Sequence, residues 1–282
     1  MHLLGSEIGH FTATDCSPEK TQRLPTSESC ILDETFRGKA PAVVRVMGRQ
    51  WANLKFVKFN LHGGQSMDVG FFLKQRTAFI THFFDEASVP FVETMRKIEA
   101  GEEPFEEQGF DPDAATGEPA FTDEWLRAQT GLEIIGQTAI SMLSETLKIF
   151  FVTHEKNAGL NCVKEVGQDV FGKGFIRGYR TCFAQHGVDW SQCPVDFSIL
   201  EQIVLARNAS QHVSCITYTR ANHTLKALQK HPSPIFVSEY ERELMERLGG
   251  SWMIEPSVHV TREALEKAIE EVEKLASWLE GE

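Results

Sequence analysis

The C-terminal half of the chain carries apolar positions at the three-and-four spacing of amphipathic helices. Leu132, Ile135, Ala139, Met142, Leu143, Leu147 and Phe150 form one such stripe and predict a helix from Thr122 to about His154. Thr122 suits its cap, and Asp123 and Glu124 put negative charge where the helix dipole favours it. Phe171, Phe175, Tyr179 and Phe183 recur every fourth residue and predict a second helix over 167–186. Pro194 is placed to open a third, over about 195–217, because a first turn does not use the N–H that proline lacks. Residues 218–250 read as loop and short helix, and the run SWMIEPSVHV as extended chain. Thr261 caps a last helix over 261–280, with Leu265, Ala268, Ile269, Val272, Leu275 and Leu279 on one face and charges on the other.

Upstream the pattern is weaker. Val44, Met47, Trp51, Leu54 and Leu61 keep a helical period up to Gly63 and Gly64, although Leu54, Phe56 and Val57 also fit a strand. Residues 69–86 and 88–100 read as two helices, with Phe71, Phe72, Phe79, Phe83 and Phe84 making a ring-rich face and Pro90 in the first turn of the second. The stretch GEEPFEEQGFDPDAATGEP within 101–121 is acidic, aperiodic and proline-containing. The expected organisation is a polar arm over 1–32, a helical region over 33–100, an acidic linker over 101–121 and a helical domain over 122–282. The fold class is mainly α.

Composition adds constraints. Of 282 residues, 41% are hydrophobic and 24% charged, as in globular proteins. The formal net charge of −12 disfavours a nonspecific coat for nucleic acid, since phosphate binding runs on Lys and Arg. The charge is uneven. Asp85 to Glu133 holds 14 acids against 3 bases, whereas Leu160 to Lys230 holds 8 bases against 5 acids. No basic n-region or long apolar run opens the chain, so neither a signal peptide nor a membrane span is expected, and the reading is cytoplasmic. Cys16, Cys30, Cys162, Cys182, Cys193 and Cys215 form no C-x-x-C pair and read as free thiols of a reducing compartment. Cys182, His186 and Cys193 lie close together but match no common zinc spacing, so no metal is expected.

The third helix contains Arg207-Asn208-Ala209-Ser210-Gln211-His212. An arginine, a polar residue, three further residues and a histidine resemble the signature of the HEPN superfamily. The surrounding helices, closed by VTREALEKAIEEVEKLASWLE, resemble that family over roughly 122–282. Arginine followed by histidine also occurs at Arg76 with His82 and at Arg180 with His186, but without the asparagine or the place late in a third helix.

The resemblance implies a HEPN-like helical bundle that pairs as a homodimer, with two copies of the motif facing one cleft. It also implies a metal-independent endoribonuclease in which RNA supplies its own nucleophile, the 2′-hydroxyl. His212 is then the general acid or base, Arg207 a two-pronged phosphate clamp and Asn208 an orienting donor. The products carry 2′,3′-cyclic or 3′-phosphate ends, and no cofactor takes part. Lys173, Arg177 and Arg180 form a basic stripe on the second helix, suited either to RNA backbone or to plain solvation. The glycines of FGKGFIRG follow no strand and read as close-packing positions, not as a phosphate loop. Such enzymes act as toxins or phage-defence effectors, with a regulatory or antitoxin protein as a further partner. Some family toxins carry a tyrosine two residues after the histidine; here Ser214 stands there, and the nearest tyrosine is Tyr218. The alternative is a non-catalytic HEPN module that binds a nucleotide, RNA or a protein.

Overall fold

The structure, a computed structural model, describes residues 68–106, 120–211, 220–248 and 255–281. The expectations for 1–32, for the helix from Val44 to Leu61, for His212 and for residues 251–254 lie outside the described residues. Those described belong to one compact unit, Gln65–Glu282. They are mainly α-helical, and extended pairing among them is limited to an isolated antiparallel bridge between Asn222 and Ser257.

Four long helices frame the unit: α1, Val69–Ala100; α2, Thr122–Asn157; α6, Phe197–Gln211; and α9, Arg262–Gly281. Between α2 and α6 lie the short helices α3, Cys162–Val166, α4, Gln168–Phe171, and α5, Phe175–Gln185. Between α6 and α9 lie α7, Leu225–Lys230, and α8, Glu239–Arg247. The predicted stripes of α2 and α9 are the core. Ala139, Leu143, Leu147 and Phe150 of α2, Leu200 and Ile203 of α6, and Leu265, Val272 and Leu275 of α9 are all buried. Each large aliphatic side chain removed from water contributes about 1.5–3 kcal/mol.

Residues 69–100 form one helix, not two. Asp68 caps it by accepting from the Phe71 N–H at 2.8 Å, and Gly101 ends it in the left-handed conformation. Pro90 sits inside. It removes one ladder hydrogen bond, but Ser88 donates to the Phe84 carbonyl at 2.6 Å and Phe91 packs on Gly131 of α2. The expected ring face also divides. Leu73, Thr77 and Ile80 face the core, while Phe71, Phe72 and Phe79 are exposed.

Helix α1 runs antiparallel to both α2 and α9. Trp125, at the start of α2, donates to Glu99 at the end of α1, at 2.9 Å. Along α1, Gly70 N–H donates to Glu280, Thr77 to Glu273, and Asp85 receives two hydrogen bonds from Arg262. Residues seven or eight apart on one helix thus meet residues seven and eleven apart, in reverse order, on the other, as stripes of two antiparallel helices must.

The predicted second helix is broken into two, α4 and α5, with α3 preceding it. Gly167 and Gly174 adopt φ of 88° and 125°, values that L side chains avoid, and the chain turns at each. The ring stripe nevertheless packs inward: Tyr179 stacks on Phe151 with centroids 5.0 Å apart and meets Phe171 edge-on at 5.1 Å. Gly178 is a close-packing position, since a β-carbon there would lie 2.6 Å from the Phe171 ring. Gly174 is instead a break. Caps differ as well. Phe121, not Thr122, flanks α2, without a side-chain cap. Asp196, two residues after Pro194, accepts from Ser198 N–H at the head of α6. Thr261 caps α9 as expected, accepting from Ala264 N–H at 3.1 Å.

Candidate functional site

Helix α6 carries the motif. Its inner stripe of Ile199, Leu200, Ile203 and Ala206 is buried, which fixes its rotation. Arg207 and Asn208 follow in its last turn, both half-buried. At about 100° per residue, Arg207 follows the buried stripe, four residues after Ile203, whereas Asn208 is turned about 100° away from it. A hydrogen bond offsets this. Arg207 Nη1 donates to Asn208 Oδ1 at 3.1 Å, which draws the guanidinium round to the asparagine's side. His212 itself lies outside the described residues.

Asn208 is seven residues after Glu201, so the two share one side of α6 about 10 Å apart along its axis. Glu201 stands in the wall of a cleft of about 650 Å³. Lys173, Arg177 and Arg180 line the same cleft, together with Trp190 and Lys230. The three candidate cations are therefore brought together. Lys173 is not on the helix, however; it sits in the turn before Gly174, while Arg177 and Arg180 belong to α5.

Arg180 is the most constrained of them. Its guanidinium lies 3.8 Å from the centroid of the Phe197 ring and 5.6 Å from that of Trp190, an attractive position for a cation over a π face. The Trp190 indole N–H donates to the Arg180 carbonyl at 2.8 Å. Arg180 Nε is buried without a hydrogen-bond partner. The charge is thus fixed in direction before any ligand arrives, whereas Lys173 and Arg177 are exposed.

On the opposite wall, Glu201 holds Lys230 at 2.5 Å and approaches His231 at 3.4 Å, too far for a good hydrogen bond. The other ring nitrogen of His231 lies 2.9 Å from Ser198 Oγ, which also accepts from Gln202. Burial pushes the His231 pKa down, against a smaller opposing pull from Glu201. The order Ser198, His231, Glu201 is that of a nucleophile, base and acid. The serine oxygen is engaged by Gln202 and the histidine is buried, so the set reads as a brace for α6 and α7. Sequence reasoning missed Lys230 and Glu201, which lie 29 residues apart with no pattern to link them.

The cysteines depart from expectation. Cys162 and Cys182 are not free thiols; they form a disulfide between α3 and α5, with α-carbons 5.4 Å apart. Beside it, His186 Nε2 meets Glu165 Oε2 at 2.5 Å, and this contact holds the Glu165 carboxyl below its ordinary pKa. His186 therefore faces Glu165, and Arg180 faces Trp190 and Phe197, so this Arg–His pair forms no joint site. Cys182, His186 and Glu165 converge, where the sequence suggested Cys182, His186 and Cys193 as neighbours.

No helix among the described residues is long and apolar enough to cross a membrane. No protein-family model matches the chain, and no curated protein or solved structure is detectably similar to it.

Proposed function

We propose that this chain is a metal-independent endoribonuclease of the HEPN type, acting as a homodimer on single-stranded RNA. The observation that carries the reading is the Arg207–Asn208 pair, half-buried in the last turn of α6, on which Asn208 shares a side with Glu201 in the wall of a cleft with four cations. The hydrogen bond between the two residues supports a joint role, because it directs the guanidinium toward Asn208. Lys173, Arg177, Arg180 and Lys230 suit a phosphate backbone, which is held by charge and not by base identity.

The chemistry balances without a metal. One copy of His212 takes the proton of the 2′-hydroxyl, whose oxygen attacks the adjacent phosphorus. Arg207 offsets the charge that builds on the non-bridging oxygens. The 5′-oxygen departs with a proton from the second copy of His212, leaving a 2′,3′-cyclic phosphate and a 5′-hydroxyl. Two motifs supply one base and one acid, which is why the reading includes a dimer. Toxin or phage-defence use, under a regulatory protein, belongs to the same proposal.

Purified protein should cut RNA but not DNA in buffer containing EDTA, at a temperature where the fold is intact. Arg207→Ala and His212→Ala should each slow cleavage by about 10²-fold or more, and Asn208→Ala by less. Equal cleavage by His212→Ala protein, or products ending in 3′-hydroxyls, sinks the reading.

A further inference from the structure

The segment between α2 and α5 needs something to hold it. Helices α3 and α4 have five and four residues, far below the length at which a helix sustains itself. Three glycines at positive φ, Gly159, Gly167 and Gly174, interrupt the chain around them. What fixes this segment is a cluster of side chains donated by α3 and by the end of α5. Cys162 and Glu165 are three apart on α3, and Cys182 and His186 are four apart across the end of α5, so each pair shares a helix side.

Glu165, Cys182 and His186 each offer one donor atom, and these atoms all lie within 4.8 Å of one another. Cys162 adds a second sulfur, adjacent to that of Cys182. We propose that, once the Cys162–Cys182 bond is reduced, these four residues bind a zinc ion in tetrahedral geometry.

The donor set suits that metal. Two thiolates, one imidazole and one carboxylate are zinc ligands, with arms of about 2.0–2.3 Å. A tetrahedron of such arms separates its donors by about 3.3–3.8 Å. The clustered atoms reach that spacing by small side-chain adjustments, since Cys182 Sγ and Glu165 Oε2 are already 4.0 Å apart. The two cysteines are buried, while Glu165 and His186 are open to solvent, so a cation has a route to the sulfurs.

The surroundings hold the donors in place. Glu165 Oε1 accepts from Asn161 N–H at 3.1 Å, which leaves Oε2 turned toward His186. Cys162 N–H donates to Glu155 Oε1 at 2.7 Å, and the other oxygen of Glu155 accepts from Tyr179 OH at 3.1 Å. Backbone and carboxylate contacts of this kind orient ligands around metal sites.

Binding and the disulfide exclude each other. Reduction by a dithiol breaks the S–S bond and delivers two thiols to the protein, while the dithiol closes into its own disulfide. Zinc then displaces the two thiol protons to solvent. Either state pins α3 to α5. The ion is structural, and the cleavage proposed for Arg207 and His212 does not pass through it.

The test uses the full chain, reduced with a phosphine, stripped with a chelator, and titrated with Co²⁺ under argon. The expected result is one tightly bound equivalent, with sulfur-to-cobalt charge transfer and the intense visible bands of a four-coordinate ion. Zn²⁺ should bleach both. Cys182→Ser should abolish the charge-transfer band of the pair or reduce it by about half. His186→Ala changes an exposed side chain, so it should keep the helical signal while weakening cobalt binding by at least about tenfold. Cys193→Ser should change nothing. The proposal is overturned if no saturable cobalt site forms or if His186→Ala binds as tightly as the parent. It is also overturned if the unreduced chain takes up zinc equally well.

Discussion

At the scale of single residues, contacts decide what sequence types leave open. Gly131 is an example. A β-carbon there would lie 2.3 Å from the Phe91 ring, well inside any tolerated approach. Alanine gains about 1 kcal/mol over glycine in a helix by propensity alone. Overpacking costs about 1–3 kcal/mol, and here it wins because the clash is with a ring wedged between two helices. Gly131→Ala should therefore lower stability in urea denaturation. In a Phe91→Ala background the same change should raise it, since only the propensity gain remains. Neither effect is visible from the sequence, which shows Gly131 as an ordinary interruption of a periodic run. Arg207 is the converse case: its motif is legible, but its hydrogen bond to Asn208 reflects a side-chain path that spacing cannot supply. Cys162 and Cys182 are 20 residues apart and meet because α3 folds back on α5, a turn that no local pattern announces.

At the scale of elements, the apolar period located α2, α6 and α9 well, because each has one buried stripe. It failed where backbone chemistry overrode the period. Gly174 breaks a run whose ring spacing is continuous, since four rings in register can face one core from two short helices as well as from one long one. Pro90 misled in the other direction. Read as a helix start, it lies inside α1, where packing on α2 outweighs the lost hydrogen bond. Proline inside a helix costs about 3 kcal/mol. Pro90→Ala should thus raise the melting temperature and add about 1–3 kcal/mol to the unfolding free energy. A fall in stability would show instead that α1 depends on proline's fixed φ at this point.

At the scale of the whole molecule, burial of histidine sets a pH limit. His154, His223 and His231 all have pKa values below the ordinary 6.5, in each case first because burial disfavours the charged ring. His223 is nearly enclosed and lies 2.8 Å from the Phe236 carbonyl. The unfolded chain takes up protons at these positions near pH 6.5, while the folded chain resists. Their contribution is fully present above that pH and is lost as pH falls toward the lowered values. Each such group adds a slope of up to about 1.4 kcal/mol per pH unit in that window. Denaturation between pH 7.5 and 5.5 should show stability falling with acid, and His223→Gln should flatten the fall. A flat profile in the parent would mean that the three rings are hydrated in solution.

The pairing of α1 with α9 sets the order in which the molecule can be completed. Gly70, Thr77 and Asp85 find Glu280, Glu273 and Arg262 about two hundred residues later. During synthesis α1 and α2 leave the ribosome together and can form a hairpin, but one flank of α1 stays open to water until α9 emerges. Helix α6, which carries Arg207 and Asn208, has its own core side against α9 as well. The motif is therefore made before the wall that holds it, and a nascent chain lacks a seated α6 while most of it is already exposed to the cell. The cleavage proposed for Arg207 would therefore wait on α9, whose first residue is made about fifty residues after the end of α6.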